Sequence, residues 1–249
     1  MGALTALYRH PIKAIGFEPL ERATLRTGRT LMFDRQWAVE HEASKYDAEE
    51  GWGKCVNFVR GASSPRLMAV QTRMLRNNRV SLSHPDLAPI TIAPNNEDDA
   101  KWLIDWLKPI CNPDRPAPVR LVRATKQGMT DNSSPFLSIL SEASLKELSR
   151  KVGFKLARER FRGNLWVEGF EAWSEFDWVG KKIQIGEAIL EVAEPITRCT
   201  ATTVNPKSGI ADADTLGALK TNWDHQDFGV FATVIQDGKV KPTDPVVLL

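Results

Sequence analysis

The chain has 249 residues, 42% of them hydrophobic, enough to build one large cored domain or two small ones and too apolar for general disorder. Its 33 basic and 31 acidic side chains leave a formal charge of +2, which excludes attachment to nucleic acid by bulk charge but permits a local basic pocket. No stretch has the length and apolarity of a signal peptide or a membrane span. Three widely spaced cysteines, Cys55, Cys111 and Cys199, argue against a disulfide framework and against a cysteine-rich metal or iron–sulfur site, so the expectation is a cytoplasmic protein.

In chain order, the first half reads mainly as strands. "LTALYRH", "RQWAVEHEA", "RLMAVQTRM", "RVSLSH" and "PITIA" are short, branched or aromatic, and punctuated by Gly, Pro, Asn or Asp. A helix is predicted from about Asp98 to Leu107, with Asn96 or a neighbour as cap, acids in its first turn and Pro109 as its stop. Trp102 and Trp106 lie four apart and are expected to pack together into the core. The Pro-rich "CNPDRPAP" is the best linker candidate. A strand at "VRLVRAT" follows, then a polar loop and a helix in "DNSSPFLSILSEASLKELSRKVG", capped by Ser144 with Glu147 and ended by Gly153. "NLWVEG" is a strand, "KKIQIGEAILEVAEPI" two strands around Gly186-Glu187, "DTLGALKTN" a short helix, and "VFATVIQDGKVK" a hairpin with Asp237-Gly238 at its tip. The sum is α+β, strand-rich, with barrel-like sheets and a few helices.

The chemistry centres on Cys199 in "EPITRCTATTVNP", where a strand gives way to a loop. Taken alone, this residue reads first as an ordinary buried cysteine, and second as a thiolate held beside Arg198 for attack or for a soft metal. Neighbours in a strand face opposite ways, so Arg198 and Cys199 serve one site only if the backbone turns there. Lys13 in "HPIK", Arg35 in "FDRQW", and Arg162 and Asn164 in "RERFRGN" each read singly as surface groups. Together with Arg198 and the "DNSSP" loop they would cradle an anion. There is no Walker A loop, GxGxxG, GxSxG or HExxH. The four histidines do not pair at metal-ligand spacing, and His225 reads as a surface turn residue.

Seven segments in order, "YRHPIKAI", "DRQWAV", "SSPFLSILSEASLKEL", "RFRGNLWVEG", "DWVGKKIQIGEAILEV", "ITRCTATTVNPKSG" and "DFGVFATVIQDGKVKPTDPVVLL", resemble the MOSC family. The likeness is strongest to the branch of amidoxime-reducing components and their bacterial relatives, and it covers nearly the whole chain. It implies an N-terminal β-barrel-like domain at 1–118 packed on a MOSC β-barrel domain at 119–249. It implies a molybdenum cofactor, molybdopterin with molybdenum, whose metal Cys199 would ligate. Lys13, Arg35, Arg162, Asn164 and Arg198 would hold the pterin and its phosphate, and Asp131, Asn132, Ser133 and Ser134 would supply a polar cradle.

The activity implied is reduction of small N-hydroxylated compounds, with a separate ferredoxin or cytochrome-type donor. The alternatives are a sulfur carrier working through a Cys199 persulfide and a cofactor-binding protein without turnover. No nucleic acid and no membrane enter this reading. Three features depart from the family pattern. Ala14 stands where serine is usual, the segment 41–65 is altered, and "PFLSILSEASL" is one residue longer before its helix. Cys55, inside the altered segment, reads first as incidental and second as a residue near the mouth of the site, and Cys111 has no assigned role.

Overall fold

The structure, a computed structural model, describes all 249 residues. Three strands open the chain, β1 (Gly2–Arg9), β2 (Glu18–Pro19) and β3 (Ala23–Leu25), followed by β4 (Trp37–His41). Next come β5 (Gln71–Met74), β6 (Val80–His84) and β7 (Leu87–Ile92), an antiparallel sheet. Helix α1 (Glu97–Leu107) packs against this unit, and β8 (Pro118–Arg123) pairs antiparallel with β4. Trp37, Leu67, Val80, Leu82, Ile92, Leu103 and Leu107 fill the core between them.

Helix α1 starts where its cap predicts. The Asn96 side chain accepts from the amides of Asp98 (3.1 Å) and Asp99 (3.0 Å), and three acids fill the first turn. Pro109 falls in a tight turn, Lys108–Ile110, that ends the helix. The tryptophan pair does not share the core. Trp106 is buried and donates to the Ala88 carbonyl at 2.7 Å, whereas Trp102 is 49% exposed. A four-residue step overshoots one turn, and Leu103, Ile104 and Leu107 already fill the buried stripe. "RLMAVQTRM" is extended only in its second half. Pro65 favours a 3-10 turn over Pro65–Ala69 instead.

The second half adds β9 (Leu137–Ser141), α2 (Glu142–Val152), β10 (Leu165–Glu168), β11 (Lys182–Ile185), β12 (Ala188–Thr197), α3 (Thr215–Trp223), β13 (Asp227–Gln236), β14 (Gly238–Val240) and β15 (Pro245–Leu248). Strands β10, β9, β13, β12, β11, β15 and β1 run side by side, and a β10–β1 pairing closes them into a seven-stranded barrel. The first strand of the chain thus completes the barrel made by the last ones. Leu4, Leu7, Ile139, Val167, Ile185, Leu190 and Val230 are among the side chains that fill it. Helices α2 and α3 pack outside on Phe161, Trp166 and Phe228. No helix is long and apolar enough to cross a membrane.

Two local expectations need correction. The cap of α2 is Ser141, whose hydroxyl accepts from the Ser144 amide (3.3 Å); Ser144 lies inside the helix and donates to Glu175 (2.9 Å). The preceding strand is buried on both faces, so its sequence shows no alternation. The chain does turn at Asp237-Gly238, but β14 pairs with β3 rather than folding back on β13. The Asp237 carboxylate is held by Arg26 (2.8 Å) and by Thr27, next to that pairing.

Candidate functional site

The loop after β1 is zipped to the segment before β4. The Arg35 amide donates to the His10 carbonyl (2.6 Å), and the Lys13 amide donates to the Trp37 carbonyl (2.7 Å). Asp34, buried at 2% exposure, accepts from the His10 amide (2.8 Å) and from the Arg35 guanidinium. Burial opposes its ionisation, but the Arg35 charge and the His10 bonds hold its carboxyl well below the usual range. Lys13 is turned inward. Its ammonium donates to the Met129 carbonyl (2.8 Å) and to Asp131 (2.5 Å), while burial pushes its pKa down against the pull of Asp131.

Arg35, Arg162 and Ala14 all hold left-handed backbone, at φ 51°, 49° and 60°. Such non-glycine conformations are strained by about 1–3 kcal/mol each and gather where geometry matters. Arg35 donates to the Arg162 carbonyl (3.0 Å), and Arg162 donates to the Gly16 carbonyl (2.9 Å). The other terminal nitrogen of Arg162 is buried without a partner. Burial, and then the nearby Arg35, lower the Arg162 pKa to about 9.

Arg198 lies beside a stacked pair of aromatic rings, Phe161 and Phe228, whose centroids are 4.1 Å apart; its guanidinium is 5.7 Å from the first and 5.9 Å from the second. It donates to the Phe161 carbonyl (2.8 Å) and twice to the Phe228 carbonyl (2.8 and 2.5 Å). Burial lowers its pKa to about 9, with the charge of Cys199 opposing.

The β12–β13 register slips between Pro195 and Thr197, and just beyond that slip Arg198 and Cys199 open onto the same cleft. Cys199 is exposed, so the reading as a buried cysteine is wrong. It stands at the head of a 3-10 turn, Thr200–Thr203, where its carbonyl accepts from the Thr202 amide (3.2 Å) and hydroxyl (3.1 Å). The side chain is left to face the cleft.

The cleft has a volume of about 310 Å³ and brings together Lys13, Arg35, Asp131, Arg162, Asn164, Arg198 and Cys199. Asn132, Ser133 and Ser134 do not line it. Asn132 donates to Glu194 (2.9 Å) and accepts from the Ser134 amide (2.9 Å), while the Ser133 carbonyl accepts from Gln127. Asn164 is in the cleft wall but heavily engaged. Its oxygen accepts from the Ser138 amide (3.2 Å) and hydroxyl (3.1 Å), and its nitrogen donates to the Tyr8 carbonyl (3.2 Å).

Residues that spacing did not gather also face the cleft, notably Arg60, Arg160, Thr130, Ser138 and Cys55. Arg60 reaches the Cys55 sulfur at 3.8 Å and keeps a buried, unpartnered Nε. Arg160 pairs with Asp212 at 2.6 Å. Arg160 sits in the same "RERFRGN" run as Arg162 and was legible there; Cys55 and Arg60 reach the cleft only through the tertiary fold. The lining holds six basic residues against one acid. Such an excess, with guanidinium nitrogens of Arg60, Arg160 and Arg162 buried and unpartnered, suits an anion.

Two family models account for most of the chain. The MOSC N-terminal beta barrel domain matches residues 1–107, and the MOSC domain matches residues 128–247. This chain belongs to the MOSC family. It is 27% identical over 299 aligned residues to human mitochondrial amidoxime-reducing component 1, with all of this chain and 83% of that protein covered. The zebrafish protein of the same name is 26% identical over 89% of this chain and 74% of its own length. A Caenorhabditis elegans molybdenum cofactor sulfurase is 29% identical over 90% of this chain, which matches 32% of that longer protein. The MOSC relatives thus tie the chain to molybdenum-cofactor-related function. The residues present fit such a group: a soft, exposed thiol at Cys199 suits the metal, and the under-neutralised Lys/Arg cradle suits an anionic phosphate.

Proposed function

We propose that this protein is a molybdenum-cofactor-dependent oxidoreductase that reduces small N-hydroxylated compounds. The observation that carries the reading is the convergence of the exposed Cys199 thiol with Lys13, Arg35, Arg162 and Arg198 in one cleft. When bound, the cofactor supplies two-electron, oxygen-accepting chemistry. The chain supplies position and charge. Cys199 would hold the metal. Arg162, with its free nitrogen, and Lys13 would hold the phosphate and pterin. Asp34 fixes the Arg35 fork, and the Phe161 and Phe228 carbonyls fix Arg198, so both charges are set before anything binds. A separate ferredoxin or cytochrome-type protein would deliver the electrons.

The test is a panel of amidoximes and hydroxylamines offered to cofactor-loaded protein with a competent reductant. Formation of the amidine or amine supports the reading; an untouched panel refutes it. A second reading, sulfur carriage on a Cys199 persulfide, is favoured by the exposure of that thiol and the sulfurase relative. Intact mass measured without reductant separates the two: a persulfide supports the carrier, and a plain thiol in molybdenum-loaded protein does not.

A further inference from the structure

A second, larger depression backs onto the candidate cleft. It has a volume of about 1050 Å³, and its lining includes Arg9, Arg22, Arg26, Arg29, Arg123, Lys126 and Lys239 but no aspartate or glutamate. Only two of these cations have a carboxylate partner, Arg9 with Glu18 (2.6 Å) and Arg26 with Asp237 (2.8 Å). The other five are exposed and carry no ion pair. With a chain charge of only +2 and seven cations gathered here, the rest of the molecule carries more acid than base. The charge is therefore polarised, and it turns the groove toward an anionic partner at long range.

The groove and the cleft share a thin wall. Phe33, Gln36, Gln127 and Gly128 line the groove, while Arg35, Thr130 and Asp131 line the cleft. The Met129 amide donates to the Arg35 carbonyl (2.7 Å), joining the two segments. A Cβ on Gly128 would run into the Asp34 carbonyl, so here the wall is backbone on backbone.

We infer that this groove docks an acidic one-electron carrier protein, which feeds electrons through the shared wall into the cleft. The inference rests on the reductase reading above. Overall, R–NH–OH + 2 e⁻ + 2 H⁺ gives R–NH₂ + H₂O. The N–O bond breaks, nitrogen gains the electron pair, oxygen leaves as water, and two reduced carriers are each oxidised by one electron. A protein partner suits the groove better than a small anion. Six of its seven cations are exposed, which steers a large charged surface but does not enclose a small ligand.

The test uses the cofactor-loaded protein and a reduced, acidic [2Fe–2S] ferredoxin as probe. Arg22→Glu/Arg123→Glu/Lys239→Glu is compared with wild type and with Arg76→Glu/Lys151→Glu/Lys181→Glu, which removes equal charge elsewhere. Binding is titrated directly at two salt concentrations, and turnover is followed with ferredoxin and, separately, with reduced benzyl viologen. The groove variant should lose at least about tenfold in ferredoxin affinity and in ferredoxin-driven kcat/KM, while viologen-driven turnover stays unchanged. The matching Arg→Gln and Lys→Gln set should fall between.

Unchanged ferredoxin binding in the groove variant overturns the inference. So does binding of phosphatidylserine vesicles or duplex DNA at this groove, at physiological salt, where ferredoxin does not bind. Absent viologen turnover in wild type would sink the reductase reading, and the binding titration would still decide the docking surface.

Discussion

Acid is expected to act on this fold first through His10. The ring is 1% exposed, and its Nδ1 lies 3.2 Å from Asp34. Burial, then the charges of Arg162 and Arg35, push its pKa down to about 3, against the opposing pull of Asp34. The folded state therefore keeps His10 neutral, while the unfolded chain protonates it below about pH 6.5. From there down to about pH 3 the unfolded state binds one more proton, so stability falls as pH falls, by about 1.4 kcal/mol per unit. Between pH 6 and 4 this amounts to about 2.5 kcal/mol, a large share of a total of roughly 5–15 kcal/mol.

Glu175 works in the other direction over part of that range. Burial raises its pKa to about 7, with a Ser144 hydrogen bond opposing. The folded state thus holds its proton where the unfolded chain has lost it, and its contribution is lost as pH rises toward 7. The measurement is therefore a difference between two proteins. Urea unfolding of wild type and His10→Asn at pH 6 and pH 4 isolates the histidine, since the asparagine amide can still donate to Asp34. Wild type should lose about 2.5 kcal/mol more than the variant over that interval. Equal losses would refute the argument that a neutral His10 is buried against Asp34 behind the Arg35 fork.

Asn164→Ala removes the bonds that tie Ser138 and Tyr8 together. It should lower stability by about 3 kcal/mol in urea unfolding, and a loss below about 1 kcal/mol would show that water replaces the side chain. Gly128→Ala drives a methyl group into the Asp34 carbonyl; the expected loss is about 1–3 kcal/mol, with reduced cofactor content. Pyrophosphate, standing for the anionic end of the cofactor, should raise the unfolding temperature of cofactor-free wild type and not of Arg162→Gln. Equal shifts would remove Arg162 from the anion cradle.

Local structure was legible where one segment carries its own signals. The Asn96 cap, the Gly186 turn at φ 55° and the Gly153 stop at φ 96° belong to their neighbours in sequence. Strand β9 was not legible, because all five of its residues are buried and period two vanishes. The pairing of β14 with β3 depends on residues about 210 positions apart, Thr27 and Asp237.

The site divides in the same way. Lys13, Arg35, Arg162, Arg198 and Cys199 could be named one motif at a time through the family resemblance. Their meeting in a cleft, and the arrival of Cys55 and Arg60 beside them, follow from the fold. The basic groove was hidden because its cations come from three distant stretches, and a net charge of +2 averages them away.

The most direct test of the central claim is molybdenum content by elemental mass spectrometry. Wild type and Cys199→Ala would be expressed side by side in a host that makes the cofactor, with equal folding verified by circular dichroism. Near-stoichiometric metal in wild type that falls sharply in the variant is the expected result and makes Cys199 a ligand. Equal metal in both proteins would deny Cys199 that role, and none in either, despite verified cofactor supply, would contradict the account.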